Sequence, residues 1–406
     1  MSQVPAASSG LSKTSLAILA MAIGSFGIGT GEFAIMGLLP NLAADLRITE
    51  PEAGHVISAY ALGVVVGAPA ISLLAARVPR RILLVLLMLL FAIGNFASAI
   101  APNYFSLIAM RFVSGLPHGA YFGIAALVAA SMVEVDYRAR AVGKVMLGLT
   151  IATLLGMPLA TWLGQSLGWR PTFAGVGVVG VLALVMVMRF VPEIKVEAEA
   201  SPLRELSALK RPQVWLTLGI GAIGCGGMFA VFTYIVPLLT NVTGIPVVYI
   251  PLVLALFGVG MTLGNILGAY MADKALMPTI GGMLIFNFFV LATIPWSATH
   301  AITACISVLF VGFTVAIGTA LQTRLMDVAA DGQTLAATLN HAAFNTANAL
   351  GALLGGMAIA AGFGWGSTGL VGAAMAIGGL VLFTISLVLD KRQSRWEPLQ
   401  VVTEAA

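Results

Sequence analysis

The chain has 406 residues, of which 59% are hydrophobic and only 9% are charged. Soluble domains carry about 25% charged residues, so this composition excludes a soluble globular protein, and the high hydrophobicity excludes a disordered one. The net charge of +4 is too small and too scattered for nucleic-acid binding. The two cysteines give neither a disulfide framework nor a zinc spacing, so we expect no metal site. These exclusions predict an all-α integral membrane protein.

A helix that crosses a membrane needs about 20 mostly apolar residues. Twelve runs meet this requirement: 16–40, 54–76, 82–101, 105–132, 141–163, 170–191, 214–240, 249–272, 277–297, 302–324, 335–361 and 367–389. The first run is too long for a removable signal peptide and lacks a cleavage site. The predicted domains are an N-terminal tail at 1–15, a six-helix half at 16–191, a polar connector at 192–213, a second six-helix half at 214–389 and a tail at 390–406.

The distribution of Lys and Arg predicts the orientation, because basic residues accumulate in cytoplasmic loops. Of the 20 basic residues, 17 fall on one side of the predicted membrane. The opposite side holds only Arg47 and Arg170, while Arg111 lies inside a span. We therefore expect a multi-pass protein of the cell inner membrane with both termini in the cytoplasm.

An internal repeat relates the two blocks of spans. A shift of 197 positions places Gly63 and Gly67 on Gly260 and Gly264, and other pairs match at the same offset: Gly24 with Gly221, Gly27 with Gly224, Gly29 with Gly226, Pro40 with Pro237, and Arg77 with Lys274. Because each block has six spans, the two copies run parallel. Two such halves are typical of transporters that move around a central site.

Two charged residues lie well inside the spans, and such residues indicate a functional site because they are costly in lipid. Glu32 is about 12 Å deep from the outer end of the first span, and Arg111 about 9 Å deep in the fourth, from a rise of 1.5 Å per residue. One interpretation is a structural ion pair that fixes helix packing. The other is a proton-coupling pair in which protonation of Glu32 is linked to substrate binding.

Further polar and aromatic residues are candidates for a substrate cavity. Arg111, Gly115, His118 and Phe122 share one helix face in the fourth span. In the eleventh span, His341, Asn345 and Asn348 form a second stripe. The remaining cavity candidates are the aromatic residues Tyr60, Phe229 and Tyr234. The alternative is that these amides and rings only join and pack helices.

No motif of a soluble-type enzyme occurs in the chain: there is no GxSxG elbow, no HExxH pair and no Walker A loop. We therefore expect no enzymatic activity and no cofactor. Without a nucleotide-binding segment, pumping has to use an ion or solute gradient, which favours secondary transport. The competing hypotheses are an uncoupled facilitator or importer of small polar solutes and, from another class, a membrane sensor that transports nothing.

Several local strings resemble a known family. Gly31-Glu-Phe-Ala-Ile-Met-Gly-Leu-Leu-Pro40 and Tyr60-Ala-Leu-Gly-Val-Val-Val-Gly-Ala-Pro69 are similar to the opening of the major facilitator superfamily. Arg111-Phe-Val-Ser-Gly-Leu-Pro-His118 is similar to its fourth-helix motif, whose Arg the family implicates in proton coupling. Within that family the strings most resemble the drug:proton antiporter branch of AraJ-like arabinose or sugar efflux permeases.

The resemblance also implies gating residues. Gly148 through Gly156-Met-Pro158 to Gly164 resembles the fifth-helix antiporter motif, in which Gly and Pro permit close, bent packing. The loop between helices 2 and 3 departs from the family pattern: Ser72, Ala76 and Pro79 replace its two Gly and its Asp and leave three basic residues, Arg77, Arg80 and Arg81. Because Asp273 and Lys274 keep an acid and a base in the second half, we expect Asp273 to carry more of the cytoplasmic gating.

Residues and resemblance together predict a transporter that exports a small organic solute, such as a sugar or a drug, in exchange for protons by alternating access. Its expected partners are a small-molecule substrate, protons and the lipid bilayer, with no nucleic acid. Nothing in the sequence calls for a second copy, so we expect a monomer.

Overall fold

The computed structural model describes residues 13–74, 78–134, 137–193, 206–329 and 333–404. Within these ranges the chain is built of helices. In chain order the spans are α1 (Lys13–Gly37), α2 (Glu50–Ile71), α3 (Arg80–Ala99), α4 (Tyr104–Ser131), α5 (Arg140–Leu167), α6 (Trp169–Phe190), α7 (Pro212–Thr233), α8 (Val247–Lys274), α9 (Leu276–Ala292), α10 (Ala301–Ala329), α11 (Thr338–Phe363) and α12 (Ser367–Lys391). Short helices Leu39–Leu46 and Ile235–Asn241 follow α1 and α7.

The all-α membrane fold is confirmed, with one difference in detail. Eleven helices among the described residues are long and apolar enough to cross a membrane, whereas α9 has only 17 residues. The predicted ninth run, 277–297, divides in two because α9 ends at Ala292 and a separate short helix, Ile294–Ser297, has Pro295 as its second residue. Proline lacks the N–H that a continuous helix would need at that position.

The helix packing repeats at the same offset as the sequence. A Cβ added to Gly63 or Gly67 would meet the carbonyl oxygen of Phe112 or Leu116, so α2 touches α4 backbone to backbone. In the second half, Gly260 and Gly264 meet the carbonyl oxygens of Leu309 and Phe313, so α8 touches α10 in the same way. All four pairs are related by the 197-residue shift, which shows that each glycine provides the same close approach in its own half.

The two halves share one buried core at one end of the molecule. Following the charge-based prediction, the end with Gly37 and Leu239 is called the outer face and the opposite end the cytoplasmic face. Near the outer face a single hydrophobic cluster contains Met36 and Leu39 of the first half together with Leu238 and Leu254 of the second. The cytoplasmic part of the first half instead forms a cluster of first-half residues, with α1, α3, α4, α5 and α6 packed on one another. The halves are therefore closed against each other on the outer side.

A polar cluster holds the outer loops of the first half together. Arg170 forms an ion pair with Asp45 and also donates a hydrogen bond to the carbonyl of Ala101 at 3.2 Å. The indole of Trp169 donates to the same Asp45 oxygen at 3.0 Å. The Arg170 guanidinium beside Asp45 lowers the pKa of that carboxyl below its usual value of 3.8. The cluster therefore joins the start of α6 to the short helix after α1 and to the loop after α3.

We expect Asp45→Asn to lower the free energy of unfolding by about 0.2–1 kcal/mol at pH 7, the range for exposed ion pairs. Because the pKa of Asp45 is lowered in the folded state, its contribution is present at neutral pH and is lost as the pH falls through that lowered value. Thermal unfolding of detergent-purified protein at several pH values measures the difference. Glu134→Gln, at an exposed carboxylate on the cytoplasmic side, is the control; a difference from wild type that is the same at all pH values would contradict this account.

The predicted domain boundaries stay predictions. Most of the N-terminal tail and residues 194–205 of the connector lie outside the described residues. The helix that contains α12 continues to Glu404, so part of the predicted C-terminal tail is helical. At the cytoplasmic end of the second half, Arg324 of α10 forms an ion pair with Asp390 of that helix.

Candidate functional site

Glu32 lies buried in α1 at the contact between the two halves, with 6% of its surface exposed. One carboxylate oxygen, Oε1, accepts a hydrogen bond from Nδ2 of Asn348 in α11 at 3.3 Å. The other, Oε2, lies 4.0 Å from Nδ1 of His118 in α4. The Glu32 carboxylate therefore lies between an amide of the second half, which is hydrogen-bonded to it, and an imidazole of the first half.

His118 belongs to a chain of polar groups within the first half. Its Nδ1 lies 3.0 Å from the hydroxyl of Tyr60 in α2 as well as facing Glu32. His118 and Tyr60 have exposures of only 3% and 1%. When Nδ1 accepts from Tyr60, the ring carries its proton on Nε2; when Nδ1 is protonated, it donates toward Glu32. This arrangement allows a proton to be held at either Glu32 or His118.

Arg111 lies beside this chain but is not bonded to Glu32. Its guanidinium donates to the carbonyl of Gly31 at 2.9 Å, and its carbon lies 4.3 Å from the centroid of the Tyr60 ring. Among the described residues, Arg111 has no ion-pair partner within 4.0 Å. The structural ion pair, one of the two interpretations from the sequence, is therefore absent here. The Arg111 guanidinium is also within hydrogen-bond distance of the Ser114 hydroxyl, at 3.4 Å, and lies 5.0 Å from the Phe173 ring. Within the described part of the chain, no Lys or Arg lies within 4.0 Å of the Glu32 carboxylate.

The second half supplies the opposite wall of the site through α11. The ring of His341 stacks on Phe122 of α4 with centroids 5.3 Å apart and planes at 8°, and it lies 6.1 Å from the ring of His118. Asn345 is buried and donates to the carbonyl of His341 in its own helix. The predicted stripe of His341, Asn345 and Asn348 is thus brought against α1 and α4.

The internal repeat shows that this polar set belongs to one half. At the 197-residue offset Glu32 corresponds to Phe229, Tyr60 to Phe257, Arg111 to Val308 and His118 to Val315. The second half keeps the glycines that pack the helices but has apolar residues at all four of these positions. The packing is therefore common to both halves, while these four polar groups lie in the first.

Two further predicted cavity residues contact α11, and their role in a cavity stays a prediction. Phe229 is buried in α7, and its Cβ lies close to Gly351 of α11. Tyr234, just after α7, donates to the carbonyl of Ala352 at 2.8 Å. Its hydroxyl also fills the space beside Gly54 of the first half. Tyr234 thus joins the halves on the outer side of the polar site.

The fifth-helix residues lie at a π-helical turn within α5. Residues Ala152–Gly156 form a π-helical turn directly before Pro158, which is a usual cause of a helix bend. A Cβ on Gly156 would lie 2.4 Å from the hydroxyl of Thr30, so the absence of a side chain at Gly156 lets α5 approach α1. The close packing that the resemblance implies is present, and a gating role for Gly156 and Pro158 stays a prediction.

The basic residues of the loop between α2 and α3 are partly described. Arg77 lies outside the described residues. Arg80 is partly buried at the start of α3, and Arg81 donates to the carbonyl of Met188 near the end of α6. Arg81 therefore connects α3 to α6 inside the first half.

Asp273 and Lys274 are exposed at the cytoplasmic end of α8. The Lys274 ammonium lies 4.4 Å from the centroid of the Tyr270 ring one turn earlier. Within the described ranges Asp273 has no ion-pair partner closer than 4.0 Å. Its predicted gating contact is thus not formed while the outer face is closed, and the gating role stays a prediction.

We expect Asp273→Asn to favour an open cytoplasmic face. The predicted contact of the Asp273 carboxylate can form only when that face closes, so its loss would destabilise the closed form. For an exposed charge the effect is about 0.2–1 kcal/mol, or a change of up to about five-fold in the conformational equilibrium. The alkylation rate of a cysteine placed at Ser131, an exposed position at the cytoplasmic end of α4, measures it. Asp327→Asn is the matched control at an exposed carboxylate in α10, and equal rates in both variants and wild type would contradict the prediction.

The structure also shows interhalf contacts that the sequence did not single out. The Ser58 hydroxyl of α2 donates to the carbonyl of Ala349 in α11 at 3.2 Å. Gly258 of α8 lies so close to α5 that an added Cβ would be 2.5 Å from the Thr153 carbonyl oxygen. A serine and a glycine give no distinctive signal in a membrane helix, where both residue types are common at helix contacts.

Two six-helix halves with a buried polar site where they meet define a membrane transport protein of the two-half class. The chain belongs to the Major Facilitator Superfamily, whose family model matches residues 21–340. This confirms the resemblance found in the sequence.

Curated relatives and solved structures agree with this assignment. The chain is 41% identical to the Inner membrane transport protein YdhP of Escherichia coli (strain K12), covering 94% of this chain and 97% of the relative. It is 33% identical to the Chloramphenicol resistance protein of Streptomyces lividans, covering 84% and 88%. The fold matches the crystal structure of a bacterial homologue of the human lysosomal transporter Spinster, in an inward-facing and occupied conformation, with a TM-score of 0.70, 15% identity and coverage of 92% and 96%. The chain is thus a multi-pass inner membrane protein of a transporter family.

Proposed function

We propose that this transporter exports a small organic solute in exchange for protons and that Glu32 binds the transported proton. The observation that carries the proposal is the environment of Glu32: it is a buried carboxylate that contacts both halves and is not locked in an ion pair with Arg111. A permanently paired carboxylate would be held ionised. An unlocked carboxylate can take up and release a proton as the halves move.

Arg111 and His118 complete the proposed proton site. Arg111 supplies a fixed positive charge beside the carboxylate, and His118 offers a second proton acceptor 4.0 Å from it. Both come from α4, so the proton site is built within the first half. The substrate would bind between this site and the stripe of α11.

We propose that the direction of transport is export and that the substrate is a drug or a sugar. The name of the Streptomyces lividans relative refers to chloramphenicol resistance, which export of the drug would provide. The resemblance of the first-helix strings to sugar efflux permeases adds a second substrate class. Chloramphenicol and arabinose are therefore the first probes to test.

The proposal is tested with purified protein in proteoliposomes under an imposed pH gradient. We expect flux of at least one probe, radiolabelled chloramphenicol or arabinose, to follow the gradient and to stop when an ionophore collapses it. Flux that does not change with the imposed pH gradient would indicate an uncoupled facilitator instead. Ligand-induced thermal stabilisation, which requires binding to the folded state, identifies further substrates and would also show a sensor that binds without transport.

The proposed orientation has both termini in the cytoplasm, because basic residues cluster at the ends of α2, α4 and α12 and not at the opposite face. Reporter fusions at Met1 and Ala406 test it. A fluorescent cytoplasmic reporter should be active at both ends, and a periplasmic phosphatase reporter should be inactive at both.

A further inference from the structure

We propose that Asn348 is a positioning residue that holds the outer face closed as long as Glu32 is ionised. This inference rests on the proposed function of Glu32 as the proton-binding residue. Asn348 contributes a residue of the second half to a proposed proton site whose other residues lie in the first half. The result is a hydrogen bond between the halves whose strength depends on the proton.

The contact itself is buried and crosses from one half to the other. Nδ2 of Asn348 in α11 donates to Oε1 of Glu32 in α1 at 3.3 Å, and the two residues have exposures of 0% and 6%. A hydrogen bond to an ionised carboxylate is about twice as strong as one between neutral groups. When the carboxyl is protonated, it becomes a donor and a weaker acceptor, so the bond to the amide weakens.

The hydrogen bonding of Asn348 separates it from an amide that merely joins helices. Its Oδ1, like that of Asn345, is buried and has no hydrogen-bond partner among the described residues, so the two residues differ in the group to which Nδ2 donates. The Asn348 amide is therefore anchored to Glu32 and not to the second half from which it comes. Asn345, one turn earlier, shows the contrasting case because it donates to the His341 carbonyl of its own helix.

The position of Asn348 along α11 links it to outer closure. The next residue, Ala349, accepts a hydrogen bond from Ser58 of the first half. One turn further on, Ala352 accepts from Tyr234, whose hydroxyl fills the space between Gly54 and Gly356. The stretch 348–356 is thus the part of α11 that packs on the first half near the outer face. Opening that face separates this stretch from α2 and breaks the Asn348–Glu32 bond.

The bond explains how an empty transporter could avoid switching without cargo. With Glu32 ionised and no substrate bound, the amide keeps the outer face closed. A proton on Glu32, or a donor group of the substrate that replaces the amide, releases the contact and permits the halves to separate. Proton binding and substrate binding would then act on one hydrogen bond, which is a direct means of coupling them.

Other titratable groups beside Glu32 have to be separated from this effect. Among the described residues these are Tyr60 of α2 and Arg111 and His118 of α4, with His341 of α11 facing His118. All but His341 come from the first half, so they move with Glu32 when the halves separate. Asn348 lies in the second half, so it moves away from Glu32 when the halves separate.

The test measures outer opening by spin-label distances in nanodiscs without substrate. Labels are placed on Ile100→Cys and Phe363→Cys, exposed outer positions of the two halves with exposures of 80% and 77%. The partly exposed Cys305 is replaced by serine throughout, and the buried Cys225 is kept. We expect the reference protein to show the short, closed distance at pH 8 and a longer distance at pH 5. In Asn348→Ala the ratio of open to closed protein at pH 8 should rise about ten-fold, the order expected for loss of a hydrogen bond to a charged group.

Three further variants separate the possible outcomes. Asn348→Gln keeps an amide donor and should restore the pH dependence, whereas Asn287→Ala, which removes another buried amide of the second half, should behave as the reference. Glu32→Gln should be open at both pH values. If the reference shows no pH dependence, or Glu32→Gln retains it, the proposed proton site is wrong. If both behave as expected and Asn348→Ala remains closed at pH 8, the role of Asn348 is wrong while the proton site stands.

Discussion

Glu32→Gln is expected to abolish transport driven by a pH gradient while leaving the protein folded and able to exchange substrate across the membrane. Glutamine has nearly the same shape as glutamate and, like a protonated carboxyl group, accepts only a weaker hydrogen bond from Asn348 than the carboxylate does. It cannot bind or release a proton, so gradient-driven flux should fall to the level of protein-free liposomes. Substrate exchange at equal pH on both sides needs no net proton movement and should continue.

The measurement compares gradient-driven uptake and equilibrium exchange of the same radiolabelled probe in proteoliposomes. Glu50→Gln, at the start of the helix that contains α2, removes a carboxylate near the outer face and is the matched control. It should retain at least half of the wild-type flux. A Glu32→Gln protein that still accumulates substrate along the gradient would rule out this residue as the proton site. A Glu32→Gln protein that has lost its thermal stability would favour a structural role.

The fold could be predicted almost entirely because its signals are local and additive. Each span needs only a long apolar run, and the loops between them carry the charges. The prediction was least accurate for the ninth span. Its apolar run contains Pro295, which interrupts the helix without changing the hydropathy. The 197-residue repeat is visible as matched glycines, and four of them, Gly63, Gly67, Gly260 and Gly264, make the backbone contacts of α2 with α4 and of α8 with α10.

The site could be predicted only in part. Glu32 and Arg111 stand out because charge is rare in the spans, and His118, His341 and Asn348 follow from helical spacing. The contacts between these residues could not be predicted, since their depths in the membrane suggested only that Glu32 faces Arg111. In the folded chain Arg111 reaches the Gly31 carbonyl, and Glu32 is approached by His118 and Asn348 instead. Which partner a buried charge takes depends on helix rotation and crossing between distant segments, and no local pattern encodes those.

Gly258→Ala is expected to open the outer face without unfolding the protein. A Cβ at this position would lie 2.5 Å from the Thr153 carbonyl oxygen and 2.8 Å from Cα of Leu154, so it would collide with the backbone of α5. Backbone atoms cannot swing aside as a flexible side chain can. Because α5 and α8 belong to different halves, the collision is relieved when the halves separate. Overpacking costs about 1–3 kcal/mol, which corresponds to a shift of roughly five-fold to more than a hundred-fold toward the open form.

Two other glycines make this prediction specific. Gly63→Ala would place its Cβ 2.1 Å from the Phe112 carbonyl oxygen, but α2 and α4 lie in the same half, so separation of the halves gives no relief. Gly63→Ala should therefore lower the thermal unfolding midpoint and leave the outer spin-label distance unchanged. Gly175→Ala, with no atom within 4 Å of the added Cβ, should change neither. If Gly258→Ala lowers the unfolding midpoint as Gly63→Ala does while the short outer distance persists, then the α5–α8 contact is a fixed part of the fold and not a surface that opens during transport.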